Sequence, residues 1–258
     1  MTDRAQTVAA IYDIHGHLPA LEAVLEAIEA HAVDRIVVGG DIASGPMPHE
    51  TLETLFALGE KVTFIRGNAD VDLVARFDGQ DENDDDVWAR RGRWCAGRIT
   101  QYQRDRLASL PLLATLEVSG LGRVCFCHAS PRNEFEIFTK ESPPERVATM
   151  VETAGAPLLV CGHTHVQFDR TVAGVRILNA GSVGMPYEDD AGAHWLLLGP
   201  EVEFIRTSYD LDGAAARIRG TGYPEAEELV EDMRNPPSAR EATEHFEGLA
   251  ARQPEQGK

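Results

Sequence analysis

Short apolar runs alternate with helical patterns over the first 65 residues, and this order constrains the fold more than any other feature. Strands are expected at 8–14, 35–38 and 62–65, where apolar residues are consecutive. Between them, residues 19–31 and 50–58 have the apolar spacing of amphipathic helices. A β-α-β-α-β order predicts parallel strands with helices on the faces of the sheet, which is the α/β class.

The second half of the chain is richer in strands. They are predicted at 112–118, 123–127, 158–161, 167–172, 175–178, 194–198 and 202–205, and further helices at 87–99, 100–110, 144–153, 211–220, 224–233 and 239–251. Residues 172–175 have the pattern of a tight hairpin turn. No repeat or low-complexity linker divides the chain. We therefore expect a single domain over 1–258, with a core at about 8–206 and a helical C-terminal extension at 207–258.

Charge and cysteine usage limit the classes of partner. The chain has 42 acidic and 24 basic residues, a net charge of −18, which repels nucleic acid and anionic membranes. No stretch approaches the ~18–20 apolar residues of a membrane span, and the N-terminus lacks a signal-peptide pattern. The four cysteines form no CxxC pair, which favours buried free thiols in a reducing compartment. These features predict a cytoplasmic protein that neither enters membranes nor binds nucleic acid.

Two charged segments admit a structural and a functional interpretation. The run DGQDENDDD at 78–86 lacks the ligand spacing of an EF-hand, so a solvated, mobile loop is favoured over a calcium site. The following segment carries Arg90, Arg91 and Arg93. We expect these arginines on a solvated face, with a position over a functional site as the alternative.

Polar side chains follow five of the predicted strands at the point where each strand ends. They are Asp13, His15, Asp41, Asn68, His128, His163 and His165. In open α/β sheets, ligands bind outside the carboxyl ends of the strands, so these side chains are expected to converge. Because residues i and i+2 of an extended segment face the same way, Asp13 should pair with His15, and His163 with His165.

The types of these residues indicate metal chemistry. Imidazole and carboxylate ligands together suit Mn, Fe, Zn or Co better than thiolate metals or pure calcium and magnesium cages. Seven ligands are too many for one tetrahedral zinc and sufficient for two ions that share a carboxylate. Two divalent ions about 3.5–4 Å apart form a clamp for phosphoryl transfer. With Asp13, Asp41 and one hydroxide, such a pair retains a positive charge that attracts phosphate.

The same motifs resemble those of a known family. DIHG, GD, GN, a lone histidine, GHTH and LNAGSVG occur in the order found in calcineurin-like metallophosphoesterases. The longer stretches DIHGHLPALEAVL, GDIASGPMPHE and HASPR resemble the small bacterial branch of YfcE-type phosphodiesterases, and the resemblance covers about residues 8–206.

This resemblance implies a four-layer α/β/β/α sandwich of two mixed sheets with a dinuclear site. It assigns Asp13, His15 and His165 to one metal, assigns Asn68, His128 and His163 to the other, and makes Asp41 the bridge. Mn²⁺ is the expected cofactor, with Fe, Zn, Co, Ni and Mg as alternatives.

Three positions depart from the family pattern. Tyr12 replaces a small Ser or Thr, and Cys127 replaces a common Gly. Ala69 stands where many members have a histidine that helps to protonate the leaving group. General acid catalysis contributes about 10²–10⁴-fold, and it matters least when the leaving group is a stable anion. Ala69 therefore argues against a protein phosphatase. The YfcE-type branch likewise lacks this histidine, and the resemblance to it implies a leaning towards diesters.

Roles follow for the remaining candidate residues. Asp41, Asn68, His128 and Asp70 are predicted to act in catalysis, and Asn68 also in substrate binding. Asp70 is hypothesised to accept hydrogen bonds behind the ligands. Arg132 is either a phosphate-binding side chain or a surface arginine.

The favoured function is a metal-dependent phosphoesterase in which a metal-bridging hydroxide attacks a small phosphodiester. One alternative is a phosphomonoesterase for a nucleotide or other small monophosphate. A second is a non-catalytic interaction scaffold, which the seven intact ligand positions disfavour. A nucleic-acid processing enzyme is disfavoured by the net charge. The sequence leaves open the physiological substrate, the native metals and the oligomeric state.

Overall fold

The computed structural model describes residues 4–80 and 86–253. Its strands in that part of the chain are β1 (Arg4–Ala5), β2 (Val8–Ile11), β3 (Arg35–Val38), β4 (Val62–Phe64), β5 (Leu113–Val118), β6 (Gly122–Cys127), β7 (Leu158–Cys161), β8 (Phe168–Val172), β9 (Val175–Asn179), β10 (Ala193–Leu198) and β11 (Val202–Thr207). Its α-helices there are α1 (Leu18–Ala30), α2 (Pro48–Ala57), α3 (Asn68–Phe77), α4 (Val87–Ala96), α5 (Gln101–Ala108), α6 (Pro144–Val151), α7 (Leu211–Gly220), α8 (Ala226–Arg234) and α9 (Ala239–Ala250).

The first sheet has the strand order β11-β10-β2-β3-β4. Strands β2, β3 and β4 are parallel, with Ala9 opposite Ile36 and Val37 opposite Thr63. This confirms the parallel arrangement predicted from the β-α-β-α-β order. Strands β10 and β11 complete the sheet as an antiparallel pair beside β2.

The second sheet is mixed and has the order β1-β5-β6-β7-β9-β8. Strands β6, β7 and β9 are parallel, whereas β8 returns antiparallel to β9. Val172 pairs with Val175, and the two residues between them have positive φ angles of 50° at Ala173 and 81° at Gly174. Positive φ at both positions is typical of a type I′ hairpin turn, which confirms the predicted hairpin.

Alternate residues of the strands enter different apolar clusters, and this alternation defines the layers. In β2, Val8 and Ala10 pack between the two sheets, whereas Ala9 and Ile11 pack against the helices outside the first sheet. In β6, Phe126 faces the first sheet and Cys125 packs toward α6. Helices therefore cover both outer faces of two stacked sheets, which is a four-layer α/β/β/α sandwich.

Two of the C-terminal helices, α7 and α8, pack onto the outer layer of the first sheet. Ile218 of α7 and Val230 of α8 belong to the same apolar cluster as Ile11 and Trp195. The ring of His17, which follows the β2 loop, also contacts α8, because its Nε2 lies 3.3 Å from the sulfur of Met233. The extension is thus in direct contact with the loop that follows β2.

Two local predictions need correction or restriction. The strand predicted at 8–14 ends at Ile11, and helix α3 follows β4 where no helix was predicted. Of the acidic run 78–86, residues 81–85 lie outside the described residues, and Asp86 caps α4 by accepting a hydrogen bond from the Ala89 N–H at 2.8 Å. Within the described ranges, no helix combines the length and the hydropathy needed to cross a bilayer.

Candidate metal centre

The loops that follow five strands meet at one edge of the sandwich. Asp13 and His15 follow β2, and Asp41 follows β3. Asn68 is the first residue of α3, directly after β4. The remaining three residues of the predicted set follow β6 and β7, namely His128, His163 and His165. The structure brings all seven side chains together.

The backbone of five of these residues lies in the left-handed region. Their φ angles are 52° at Asp13, 49° at His15, 52° at Asp41, 68° at His163 and 58° at His165. The prediction that Asp13 with His15, and His163 with His165, converge as extended i, i+2 pairs was therefore wrong about the backbone. A non-glycine residue in this region costs about 1–3 kcal/mol unless its surroundings enforce it, and such strain clusters at functional sites.

Two groups of three potential ligands are present among the described residues. Their members are Asp13, His15 and His165 in one group and Asp41, His128 and His163 in the other, with the ligand atoms of each group within 4.8 Å of one another. Asp41 belongs to the second group and also reaches the first, because its Oδ1 is 3.5 Å from His128 Nε2 and its Oδ2 is 3.7 Å from His15 Nε2. Asn68 Oδ1 joins the second group at 3.0 Å from His128 Nε2.

Hydrogen bonds to backbone carbonyls select the ring nitrogen that faces the centre. His128 Nδ1 donates to the Gly39 carbonyl at 2.9 Å, and His165 Nδ1 donates to the Met185 carbonyl at 2.7 Å. Since a carbonyl only accepts, the proton of each neutral ring is on Nδ1. The Nε2 lone pairs are therefore directed into the site, as in histidines that bind metals.

Two buried side-chain atoms of the centre have no hydrogen-bond partner within the described part of the chain. Asp13 Oδ1 and His163 Nε2 are buried and unpaired. His15 Nε2 and His165 Nε2 face each other at 3.2 Å. A buried polar atom without a partner costs about 1–3 kcal/mol, and a cation among these oxygen and nitrogen atoms removes that cost. The donor set of the centre therefore fits divalent metal ions.

Burial shifts the protonation equilibria of the ligands in the metal-free protein. It raises the pKa of Asp13 and of Asp41 to about 6, because a buried carboxylate loses its hydration. It lowers the pKa of His15 and of His165 to about 4 for the same reason. The imidazoles of His15 and His165 are thus neutral and ready to bind a cation at neutral pH, whereas the carboxylates of Asp13 and Asp41 retain protons more strongly than usual.

Surrounding side chains hold the ligand loops in position. Asp70 is buried and accepts backbone hydrogen bonds from Asp41 and Ile42 at 2.9 Å each. Ser182 donates to the Asp13 carbonyl at 2.7 Å, and Asn179 donates to the Gly162 carbonyl at 2.7 Å. The LNAGSVG segment therefore fixes the loops after β2 and β7.

Tyr12 occupies space that two glycines leave open. Its ring is fully buried, and its hydroxyl donates to the Val160 carbonyl at 3.1 Å. A Cβ at Gly39 would lie 2.0 Å from the ring, and one at Gly162 would lie 2.6 Å from it. Tyr12 thus lies between the sheets, where it packs against the backbone of the loops that follow β3 and β7.

A cavity of about 330 Å³ opens onto the centre. Helix α3 lines it with Ala69, Asp72, Leu73 and Arg76, which share one helical face. The wall opposite the ligands includes Trp88 and Arg91 of α4, together with Gly92, Cys95, Tyr223 and Leu229. Neither α3 nor this wall was predicted from the sequence. For α3 alone, the spacing of Val71, Val74 and Phe77 gave a weak helical signal.

The structure gives the candidate arginines different environments. Arg91 is 7% exposed, so the expectation of a solvated face was wrong for this residue, and it lines the cavity. Arg132 is not among the residues that line the cavity, and its guanidinium pairs with Glu136 four residues later. Phosphate binding by Arg132 stays a prediction.

Comparisons with known proteins identify the family of this fold. The model of the calcineurin-like phosphoesterase superfamily domain matches residues 7–198, which include all seven candidate ligand residues. An uncharacterised protein of Methanocaldococcus jannaschii is 27% identical over 241 residues, 84% of this chain and 94% of that protein.

Two crystal structures resemble the whole chain. A hypothetical protein from Pyrococcus horikoshii OT3 matches with a TM-score of 0.77 at 21% identity, over 91% of this chain and 99% of that one. A metallophosphoesterase from Sphaerobacter thermophilus matches with a TM-score of 0.67 at 29% identity, over 89% of this chain and 98% of that one. From the match over residues 7–198, the chain belongs to the calcineurin-like phosphoesterase superfamily.

Proposed function

We propose that the protein is a dinuclear, metal-dependent phosphoesterase that hydrolyses small phosphodiesters or nucleotide-like substrates. The observation that carries this proposal is that Asp41, a member of the second candidate ligand group, also reaches the first: its Oδ1 lies 3.5 Å from His128 Nε2 and its Oδ2 lies 3.7 Å from His15 Nε2. A shared carboxylate is the arrangement that two ions need to act on one phosphorus centre.

The ligands divide between the two ions as their distances suggest. Asp13, His15 and His165 would hold one ion, Asn68, His128 and His163 would hold the other, and Asp41 would serve both. When bound, the ions supply Lewis acidity toward the phosphoryl oxygens and lower the pKa of a water molecule. Mn²⁺ suits the mixed nitrogen and oxygen donors, as do Fe, Zn, Co and Ni, whereas Mg²⁺ suits the carboxylates better than the imidazoles.

The protein's own residues bind and orient the phosphoester. Asn68 presents a neutral amide at the start of α3, where the helix dipole favours an anion. Arg76 and Arg91 line the same cavity, where Asp72 lies beside Arg76 and Glu228 accepts a hydrogen bond from Arg91, so the two arginines offset nearby acidic charge. Asp70 acts by positioning the backbone of Asp41 rather than by touching the substrate.

Ala69 is the basis for preferring diesters. Its methyl group lines the cavity directly beside Asn68, so this position supplies no proton to a leaving group. Substrates whose leaving group is a stable anion lose least from this replacement.

Four buried free cysteines are consistent with a reducing compartment, and we place the enzyme in the cytoplasm.

The test compares hydrolysis of bis(p-nitrophenyl) phosphate with hydrolysis of p-nitrophenyl phosphate by metal-stripped protein reloaded with Mn²⁺. We expect faster diester hydrolysis that is abolished by chelation and by Asp41→Asn. Asp105→Asn is the matched control, because Asp105 is an exposed aspartate on α5 outside the site.

Two outcomes contradict parts of the proposal. Preference for the monoester would identify a phosphomonoesterase. Stoichiometric binding of metal without turnover of either ester would favour a non-catalytic scaffold.

A further inference from the structure

The cavity that contains the metal centre has a second, aromatic wall. This wall is built by α4 and by the C-terminal extension, through Trp88, Arg91, Tyr223 and Leu229. Tyr223 and Leu229 lie beyond residue 198, where the match to the family domain ends. The extension therefore supplies two of the four residues, Tyr223 and Leu229, and α4 supplies Trp88 and Arg91.

Helix α3 sets the distance between the metal centre and the aromatic wall of the cavity. Asn68 is its first residue, and Arg76 lies eight residues later, about 12 Å along the helix axis. Gly92 of α4 packs directly against Arg76, since a Cβ at Gly92 would lie 2.5 Å from Arg76 Nε. The aromatic wall thus lies about two helical turns from the metal ligands.

Arg91 joins the two elements of the wall. Its guanidinium carbon lies 5.2 Å from the Trp88 ring centroid and 5.7 Å from the Tyr223 ring centroid. Its Nη2 donates to Glu228 of α8 at 3.1 Å, which fixes the planar group between the rings. Planar guanidinium and aromatic surfaces side by side bind flat π systems better than alkyl chains.

Trp88 is the part of this wall that is open to a ligand. Its side chain is 61% exposed at the cavity, a larger fraction than for the other exposed large hydrophobic residues in the described part of the chain. An exposed aromatic at the mouth of a cavity, continuous with an apolar lining that includes Leu73 and Met185, is a typical stacking platform.

We infer that this wall binds the planar aromatic group of the substrate, a nucleobase or a simple aryl ring, while the phosphate lies at the metal centre. Helix α4 and the C-terminal extension thus determine together which phosphoesters the enzyme accepts. The inference rests on the proposed function only for the attached phosphate, so binding of the aromatic group alone is tested first.

The binding test uses metal-stripped protein, which does not depend on catalysis. Calorimetric titration with adenosine, uridine and p-nitrophenol is compared with titration by ribose, which has no ring system of this kind. We expect at least one aromatic probe to bind and ribose not to bind. Trp88→Ala should weaken that binding about tenfold, the size typical of base–aromatic stacking, and Trp88→Phe should restore most of it.

Tyr102→Ala is the matched control. Tyr102 is 58% exposed on α5 but does not line the cavity, so its removal should leave binding unchanged. Failure of all three aromatic probes to bind, or equal binding by wild type and Trp88→Ala, would overturn the inference.

An activity measurement separates this inference from the proposed function. With Mn²⁺ restored, Trp88→Ala should raise KM for bis(p-nitrophenyl) phosphate several-fold and leave kcat nearly unchanged. Absence of turnover alongside Trp88-dependent binding would reject the phosphoesterase function and retain the aromatic site. Turnover with an unchanged KM in Trp88→Ala would reject the aromatic site and retain the phosphoesterase.

Discussion

The carboxylate of Asp70 holds the backbone of Asp41, with Asp70 Oδ2 accepting the Asp41 N–H at 2.9 Å. The same carboxylate accepts the N–H groups of Ile42 and Gly67, also at 2.9 Å. One buried side chain therefore connects the loop after β3 with the start of α3. The backbone geometry of Asp41 therefore depends on Asp70. Since the Asp41 carboxylate reaches both candidate ligand groups, this dependence extends to the metal centre.

Replacing Asp70 should weaken both stability and metal binding. Asp70→Ala leaves three buried N–H groups without an acceptor, each costing about 1–3 kcal/mol, so the free energy of unfolding should fall by at least about 3 kcal/mol. Affinity for Mn²⁺ should fall about 10–100-fold, as expected when a group that orients a ligand is lost. Urea denaturation and calorimetric titration measure the two effects.

Asp70→Asn separates the two roles. The amide keeps one acceptor oxygen but turns an NH₂ group toward some of the same donors, so we expect intermediate losses. Unchanged Mn²⁺ affinity in the folded Asp70→Ala protein would show that Asp70 supports the fold without orienting Asp41.

The affinity for Mn²⁺ should depend on pH through the carboxylates of Asp13 and Asp41 rather than through the imidazoles of His15 and His165. Burial raises the pKa of Asp13 and Asp41 to about 6 in the metal-free protein, so both bind protons as the pH falls through 6. A cation must displace these protons, and Mn²⁺ affinity should fall by up to about tenfold per pH unit for each one. His15 and His165, with pKa values of about 4, stay neutral over this range.

Proton release on Mn²⁺ binding provides the measurement. Titrations in buffers of different ionisation enthalpy should show more than one proton released per protein at pH 5.5 and fewer at pH 7.5. Constant affinity between these two pH values would contradict the shifts in the pKa of the two aspartates.

The order of strands and the residues at their ends were enough to predict the members of the centre. Parallel strands bring their carboxyl ends to one edge whatever the loops do, so Asp41 and His163 converge even though the local backbone was predicted wrongly. The left-handed conformation of Asp13 and His15 has only a weak sequence signal. Asp and His tolerate it better than most residues, but they do not require it.

The cavity wall could not be read from local patterns. Arg91 looks like a surface arginine within its own helix, and only contacts with Pro224 and Glu228, more than 130 residues later, explain its burial. Helix α3 was missed for a different reason. Its start is fixed by Asp70, whose side chain accepts the Gly67 N–H, and only Leu73 among its apolar residues is buried, so its apolar residues do not mark one clear face.

Restoring a histidine at position 69 should broaden the leaving groups that the enzyme accepts. The Ala69 N–H donates to Asp41 Oδ1 at 2.8 Å, and the substitution keeps that backbone contact. Ala69→His should raise kcat/KM for an alkyl phosphate ester by at least about tenfold, within the range of general acid catalysis. Hydrolysis of bis(p-nitrophenyl) phosphate should change little, because nitrophenolate leaves without a proton.

The pH profile identifies the cause of any gain. Ala69→His should add a limb to the profile of kcat/KM near the ordinary pKa of histidine, about 6.5. Ala69→Gln is the control, because it adds a polar side chain without an acid. An equal gain in Ala69→Gln would attribute the effect to binding rather than to proton transfer.

Gly39 and Tyr12 should behave as a coupled pair. A Cβ at Gly39 would lie 2.0 Å from the Tyr12 ring, and the buried ring cannot move aside without losing its hydrogen bond to Val160. Gly39→Ala should lower the free energy of unfolding by about 3 kcal/mol, as expected for overpacking. Tyr12→Ser should lower it by about 3–5 kcal/mol, because it removes a large buried ring.

The double variant Gly39→Ala with Tyr12→Ser should be no less stable than Tyr12→Ser alone, because the added methyl group then occupies space that the ring has left. Urea denaturation of the four proteins gives a coupling of about 3 kcal/mol in this cycle, within the range seen for residues in contact. Gly220→Ala is the matched control, since a Cβ there meets no atom within 4 Å. Additive losses would mean that Gly39 is needed for the backbone of the β3 loop itself, independently of Tyr12.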